Sequence, residues 1–432
     1  MPPHILIIGG GRRLHDEIRA AADGVRTTTI CRMAVLPKID NPQRNVRLVA
    51  MRDDATLDEW LAMAGFLHAQ DPFTAVAAWS ELDQEKGAAI GERLGIVAPD
   101  RETIRLVSDK AAMRHRLALL GLDDTRVRSV TTIEEAREAV AFTGLPCVLK
   151  PAASSGSRGV SVLRDLDELD AAWTWARATE PASALLVEEF LSGTEYSVEA
   201  MSEGGVHHVV TVTGKYSENE HRVEEGHVVP ALIPAAQAAG ITDFVERTLT
   251  GLGIVDGVTH TEIIETRRGP RVVETHLRPA GGWIPLLVRD ALGVDLLSLL
   301  AARTVDRPVL QRLAAVPAGD REPETQEQQC AAIWFIQPDA DSEGELLSLF
   351  GVEHALDTPG VVEVQVLRKP GDRIGTLRSS GTRLAMVRAV GPDQETAVAA
   401  AREGASRIRA VVVPPAEAGP LDGTLLTGGS FR

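Results

Sequence analysis

The chain has 432 residues, too many for a single hydrophobic core, so two or three domains are expected. Hydrophobic residues make up 44% of it, which fills real cores and excludes a disordered chain. Its 45 Lys and Arg against 61 Asp and Glu leave a net charge of −16, which argues against nucleic acid or an anionic membrane as the main partner.

The N-terminal "HILIIGGG" predicts a buried parallel strand ending in a Gly turn, followed by a helix from Leu14 to Ala22. The apolar start is too short for a membrane span and lacks a signal-peptide cleavage pattern. With three scattered cysteines, Cys31, Cys147 and Cys330, and no CxxC, the expectation is a cytoplasmic protein without a disulfide framework. The runs "TTTIC", "VRLVA" and "FTAVAAW" predict further strands, with helices between them at Leu57 to His68 and Gln84 to Leu94. This alternation predicts a doubly wound α/β domain up to about residue 105. Gly9 to Gly11 lack the G-x-G-x-x-G spacing and predict a tight strand-to-helix turn, not a dinucleotide site.

Ser108 is the expected N-cap of the next helix, which ends at Gly121. The stretch "TIEEAREAVAFTGLPCVLKPAASSGSRGVSVLRDLDELDAAW" predicts helix, strand, Gly/Ser-rich loop, strand and helix. An antiparallel meander follows, turning at Gly204–Gly205, then a helix in "AAQAAGITDFVERTLTGLGI" and a hairpin turning at Arg268–Pro270. "PLLVRDALGVDLLSLLAARTV" is helical in pattern. Arg312 to Gln329 are rich in Pro, Glu and Gln and predict a linker. Beyond it, "CAAIWFIQ", "VVEVQVL" and "RLAMVRAVG" predict strands, and "DQETAVAAAREGASRIRAVV" a final helix.

Three constellations carry chemistry. In "VLKPAASSGSRGVSVL" a strand delivers Lys150 to a loop of small residues, Ala152 to Gly159, with Arg158 adding charge. Backbone N–H groups of such a loop can fold over phosphate oxygens. It is not a Walker A loop, because the Lys precedes it and a strand follows. In "LLVEEFLSGTEYSVE" an apolar strand turns acidic at Glu188–Glu189 and continues to Glu195. Taken alone, that stretch reads as an ordinary solvent-facing hairpin. In the third, Glu262 precedes the hairpin turn, and Glu274, His276 and Arg278 alternate after it, ahead of Gly281–Gly282. Alternate strand residues share a face. Two carboxylates and an imidazole on paired strands suit Mg²⁺ together with substrate phosphates, and an Arg suits a phosphate. The competing reading is a cross-strand salt-bridge ladder.

The order of "SDKAAMR", "CVLKPAASSGSRGVSV", "VEEFLSGTEYSVE", "THTEII" and "VVETHLRPAGG" resembles the ATP-grasp superfamily. "EEGHVVPALIP" and the long hairpin segment are most similar to carboxylate–amine ligases grouped with bacterial L-amino-acid ligases, and the C-terminal part to a biotin-carboxylase-like tail. The resemblance implies an α/β and α+β architecture: a pre-ATP-grasp domain (1–105), a two-lobed ATP-grasp domain (106–310) and a C-terminal α+β domain (311–432). It implies an ATP-dependent C–N ligase that works through an acyl phosphate, with small-molecule carboxylate and amine substrates and a homodimer as the family expectation. By position, Lys110 and Lys150 match lysines that contact ATP. Ser154, Ser155, Gly156, Ser157, Arg158 and Gly159 match the loop over the triphosphate. Glu188, Glu189, Phe190 and Leu191 match the adenine hinge, and Glu195 the ribose carboxylate. Glu262 and Glu274 match Mg²⁺ ligands, with His276 where many members carry Asn, so that Mn²⁺ is an alternative. Arg278 matches the arginine facing the acyl phosphate, Gly281 and Gly282 offer backbone N–H groups, and His227 matches the pocket His of the amino-acid ligases. Carboxylation, phosphoryl transfer to a hydroxyl and non-catalytic nucleotide binding stay open as rival activities of the same fold.

Overall fold

A computed structural model describes residues 2–11, 13–152, 158–181, 184–217, 223–314, 329–338, 343–375 and 380–413. These fall into two compact units. The larger draws on segments 1–154, 159–215 and 228–330, and the smaller on 155–158, 216–227 and 331–432.

The larger unit opens with strands β1 (His4–Ile8), β2 (Arg26–Arg32), β3 (Arg47–Met51) and β4 (Ala75–Ala77), parallel and ordered β3-β2-β1-β4. Helices α1 (Leu14–Ala20), α2 (Leu57–Gln70) and α3 (Glu81–Leu94) are interleaved with them. Apolar clusters line both faces of this sheet, with Leu6, Ile8, Ile30 and Trp60 in one and Ile5, Ile7, Ile18 and Val25 in the other. This is why its strands read as continuous apolar runs. The Gly turn after β1 is as expected. Gly9 has φ +80°, and a Cβ there would sit 1.9 Å from Asp83 Oδ2, so the position accepts only glycine.

Helices α4 (Arg101–Ser108) and α5 (Lys110–Leu119) follow. The expected cap is off by one residue. Ser108 ends α4, and Asp109 caps α5 by accepting hydrogen bonds from Ala111 N–H at 2.9 Å and Ala112 N–H at 3.1 Å. The extended backbone of Asp109 breaks the helix there, so its carboxylate meets the free N–H groups and Lys110 becomes the first helical residue.

A second sheet contains β5 (Val127–Val130), β6 (Cys147–Pro151), β7 (Ser161–Leu163) and β8 (Leu185–Glu189), antiparallel in the order β5-β8-β6-β7. Helices α6 (Ile133–Thr143) and α7 (Leu169–Thr179) pack on it through Ala136, Val140, Leu169 and Ala176. A third set of strands, β9 (Gly193–Glu203), β10 (Val206–Tyr216), β12 (Gly257–Thr266) and β13 (Gly269–His276), runs antiparallel in the order β13-β12-β9-β10. Strand β11 (Gly226–Val229) precedes helix α8 (Ala235–Gly251), which contributes Phe244, Val245 and Leu249 to the core beneath Val198, Ile263 and Val272.

The long helical pattern after residue 284 is two helices, α9 (Ile284–Leu292) and α10 (Leu296–Thr304). Gly293 in the left-handed region stops the first, and Asp295 caps the second. A short helix, α11 (Leu310–Ala314), ends this part of the chain.

The smaller unit contains β14 (Cys330–Ile336), β15 (Gly344–Phe350), β16 (Val361–Val366), β17 (Arg373–Ile374), β18 (Ala385–Gly391) and β19 (Arg409–Val413). Two helices accompany them, α12 (Val352–Leu356) and α13 (Gln394–Ser406). Here β14, β18 and β16 are neighbours, and β15 lies between β17 and β19. The final helix is shorter than its pattern suggested. It stops at Ser406, and "RAVVV" pairs with β15 as a strand, because β-branched residues fit a pleated surface. Among the described residues no helix is long and apolar enough to cross a membrane.

Candidate active site

The site grows from three adjacent strands of the larger unit. Register places Ser197 (β9), Glu262 (β12) and Glu274 (β13) in one row, and Glu199, His260 and His276 in the next row on the same face. Thr261 and Thr275 lie between the rows, so they face the other way, with their hydroxyls 3.3 Å apart. Two carboxylates directly opposite each other destabilise a sheet. An ordinary ladder would pair opposite charges, whereas here the pairing partners come from elsewhere.

Lys110, at the start of α5, places Nζ 2.7 Å from Glu274 Oε2, and His276 Nε2 is 3.0 Å from Oε1. Lys215 at the end of β10 reaches Glu262 Oε1 at 3.1 Å and Glu195 Oε1 at 2.5 Å. Burial would raise the carboxyl of Glu274, but Lys110 and His276 hold it well below the usual range. Glu262 is likewise pushed up by burial and brought below its ordinary value by Lys215 and His260. His260 is itself disfavoured as a cation by burial, yet Glu199 and Glu262 raise it to about 10. Both carboxylates of the pair are therefore ionised and ready to meet cations.

The second sheet supplies Lys150 on β6. Its Nζ lies 2.7 Å from Glu188 Oε2 on β8. Arg114 of α5 grips the same carboxylate, through Nε at 3.0 Å and Nη2 at 3.3 Å, and also donates to the Val272 carbonyl of β13. Burial opposes ionisation of Glu188, but Arg114 and Lys150 bring it down to about 2. One guanidinium thus ties the Lys150 sheet to the carboxylate strands. Glu189 points the other way, to Arg126 at 2.7 Å and to Arg268 of the hairpin turn. Phe190 N–H donates to Pro146 O at 3.2 Å, and Leu191 follows outside the strand.

Arg278, past the end of β13, pairs with Glu81 at 3.0 Å, and Glu81 is also 3.6 Å from His276 Nδ1. Gly281 has open space where a side chain would be, Gly282 has φ +60°, and Trp283 is left-handed at the N-cap of α9. Gly159 has φ +74° and packs against Pro151, while Arg158 is exposed. Ser154, Ser155, Gly156 and Ser157 lie outside the described residues. His227 is buried in the smaller unit, with its ring edge-on to Phe335 at 5.8 Å.

The structure thus brings together Lys110, Glu195, Glu262, Glu274, His276 and Arg278 in one charged cluster, and Lys150 with Glu188 beside it. Sequence reasoning missed Lys215, Glu81, His260, Glu199 and Arg114. Glu81 had a signal, since it follows β4 at the carboxyl edge of a doubly wound sheet, where ligands bind. A lysine ending a long strand, as Lys215 does, carried no comparable mark.

The residues fit a divalent cation by donor chemistry: buried, ionised oxygen donors on paired strands. A buried polar atom in the same row, Ser197 Oγ, has no partner among the described residues. Among the described residues no group of three or more His, Cys, Asp or Glu side chains is arranged to hold a metal ion, and Lys110 and Lys215 occupy the two carboxylates.

Strands carrying lysines toward an ionised carboxylate pair, behind a parallel-sheet domain, define an α/β protein with a densely charged site. The family model for the ATP-grasp domain matches residues 143–285, and that for L-amino acid ligase C-terminal domain 2 matches residues 339–413. The chain is 30% identical over 353 residues to the protein y4rH of Sinorhizobium fredii, covering 81% of this chain and 70% of that one. It is 26% identical over 250 residues to alanine–anticapsin ligase of Bacillus subtilis, covering 52% of each, so it spans about half the length of that ligase. The crystal structure of an L-amino acid ligase from Bacillus licheniformis superposes with a TM-score of 0.76 at 19% identity, covering 95% of this chain and 99% of that one. The chain belongs to the ATP-grasp superfamily.

Proposed function

We propose that the protein is an ATP-dependent carboxylate–amine ligase with an amino acid as one substrate, releasing ADP and phosphate. The observation that carries the reading is the Glu262–Glu274 pair, opposed in register, ionised by Lys215 and Lys110, and followed by Arg278. A substrate carboxylate oxygen attacks the γ-phosphorus of ATP. The new O–P bond forms as the bridging bond to ADP breaks, giving an acyl phosphate. The amine nitrogen then attacks the acyl carbon, phosphate leaves, and the amine loses a proton.

Glu262 and Glu274 would hold Mg²⁺, which when bound offsets charge on the transferred phosphoryl. Lys150, Lys110 and Lys215 add positive charge along the phosphates, each exchanging a carboxylate contact for a phosphate one. Arg278, released from Glu81, holds the acyl phosphate and the oxyanion with N–H groups near Gly281 and Gly282. Glu188 to Leu191 take adenine and Glu195 takes ribose. We read 1–105, 106–310 and 311–432 as the three domains that serve this reaction.

The test is an ADP-release screen of carboxylates crossed with amines, amino acids first, with hydroxylamine as trap. A hydroxamate supports the acyl phosphate. ADP release without any hydroxamate moves the assignment to a hydroxyl kinase. Glu274→Ala is expected to abolish ADP formation.

A further inference from the structure

Behind the carboxylate pair lies a second charged pair that the reaction as proposed does not use. Glu199 is fully buried in the middle of β9. Its register partner on β12 is His260, whose Nδ1 lies 2.7 Å from Glu199 Oε1. The other ring nitrogen, Nε2, faces Glu262 Oε1 at 3.3 Å. The His260 ring stacks on that of its partner His276, with centroids 6.2 Å apart and planes 11° apart. The imidazole is therefore fixed at both nitrogens and on one face.

A buried ion pair is a poor way to stabilise strands. Its desolvation cost rivals its attraction, and apolar residues of similar volume serve as well or better. Glu199 bears a further cost, because its Oε2 is buried with no hydrogen-bond partner among the described residues. The neighbouring buried polar residues of these strands, Ser197, Thr259 and Thr261, are small and neutral, so a buried charged pair calls for a reason other than stability.

That reason lies in which oxygen of Glu262 is occupied. His260 Nε2 and Lys215 Nζ both approach Oε1. Oε2 has no protein hydrogen bond among the described residues. Glu274 differs: Lys110 takes its Oε2 and His276 its Oε1. We propose that His260, held by Glu199, is a positioning residue that pins Oε1 of Glu262 and so presents Oε2 to the nucleotide-bound cation. The pair acts through Glu262 and touches neither cation nor substrate. This inference rests on the ligase reading, in which Glu262 is a metal carboxylate. Partners that orient metal ligands in this way change metal affinity about 10- to 100-fold.

The experiment measures Mn²⁺ binding to the full-length protein with ADP, by electron paramagnetic resonance of the free ion, in parallel with ADP affinity in the absence of metal and a melting curve. Glu262→Ala is expected to weaken Mn²⁺ binding at least about tenfold. His260→Ala should weaken it about tenfold and leave metal-free ADP affinity within about twofold, a split that a general loss of structure would not give. Glu199→Gln keeps size and acceptor but removes the charge that holds the imidazole. It should shift Mn²⁺ affinity the same way by a smaller factor, and it decides the matter if His260→Ala does not fold. The double variant His260→Ala/Glu262→Ala should bind Mn²⁺ no more weakly than Glu262→Ala alone. Wild-type Mn²⁺ affinity in His260→Ala, or in Glu199→Gln where that variant decides, overturns the positioning role, as do losses that multiply in the double variant. Wild-type affinity in Glu262→Ala overturns the metal reading as well, so the two failures are told apart.

Discussion

Glu188→Gln isolates the charge that Arg114 uses to join the Lys150 sheet to β13. Glu188 sits between Lys150 Nζ at 2.7 Å and the Arg114 guanidinium, almost without solvent. Its carboxyl falls from 4.5 to about 2 in the fold, because Arg114 and Lys150 outweigh burial. At about 1.4 kcal/mol per pK unit, this difference corresponds to about 3 kcal/mol of stability at neutral pH. The folded value is the depressed one. The contribution is therefore complete above the unfolded value near 4.5 and disappears as pH falls toward 2. Glutamine keeps the shape and one acceptor but cannot be ionised, so the variant lacks this pH-dependent part. Melting temperatures of wild type and Glu188→Gln, measured from pH 7 to pH 3, should lie well apart at pH 7 and converge as the pH drops below about 4.5. A gap that stays constant across the range would refute the claim that Arg114 and Lys150 stabilise an ionised Glu188.

Other consequences are equally direct. Arg278→Lys keeps the charge but loses the planar fork that contacts Glu81 through two nitrogens. Amide formation should fall about 100-fold, measured as product against ADP, and an unchanged rate would remove Arg278 from the acyl-phosphate step. His276→Asn replaces an imidazole 3.0 Å from Glu274 by a hard carbonyl oxygen. The ratio of Mg²⁺- to Mn²⁺-supported ADP release should rise by roughly threefold or more, and an unchanged ratio would place His276 outside the metal's influence. Gly9→Ala puts a methyl group into Asp83 at a left-handed position, so denaturant unfolding should show a loss on the order of 2–4 kcal/mol, and a neutral result would mean that the turn after β1 relaxes freely.

Much of the fold was legible because local chemistry and tertiary structure agree. The runs "HILII" and "CVLKP" are strands in the structure, and the Gly turn after β1 closes as its spacing implied. Boundaries were less legible where neighbouring signals compete. Ser108 and Asp109 both cap helices well, and only the end of α4 selects Asp109. "RAVVV" continues a helical pattern, and only β15 beside it makes it a strand. In the site, the alternation of Glu274, His276 and Arg278 was visible along the chain. Lys215 and Glu199 were not, since a lone charge has no periodicity to mark it, and Glu81 was marked only by its place after β4.

The sequence by itself determined the order of most strands and helices and which of Lys150, Glu262, Glu274, His276 and Arg278 bring charge to them, because both depend on short-range pattern and side-chain type. Tertiary structure alone decided that Glu262 faces Glu274, that Lys110 and Lys215 neutralise them, and that Arg114 locks Glu188 to the back of β13. Those pairings join residues up to 164 positions apart. Their energies depend on distance and burial, two quantities that exist only once the chain has folded.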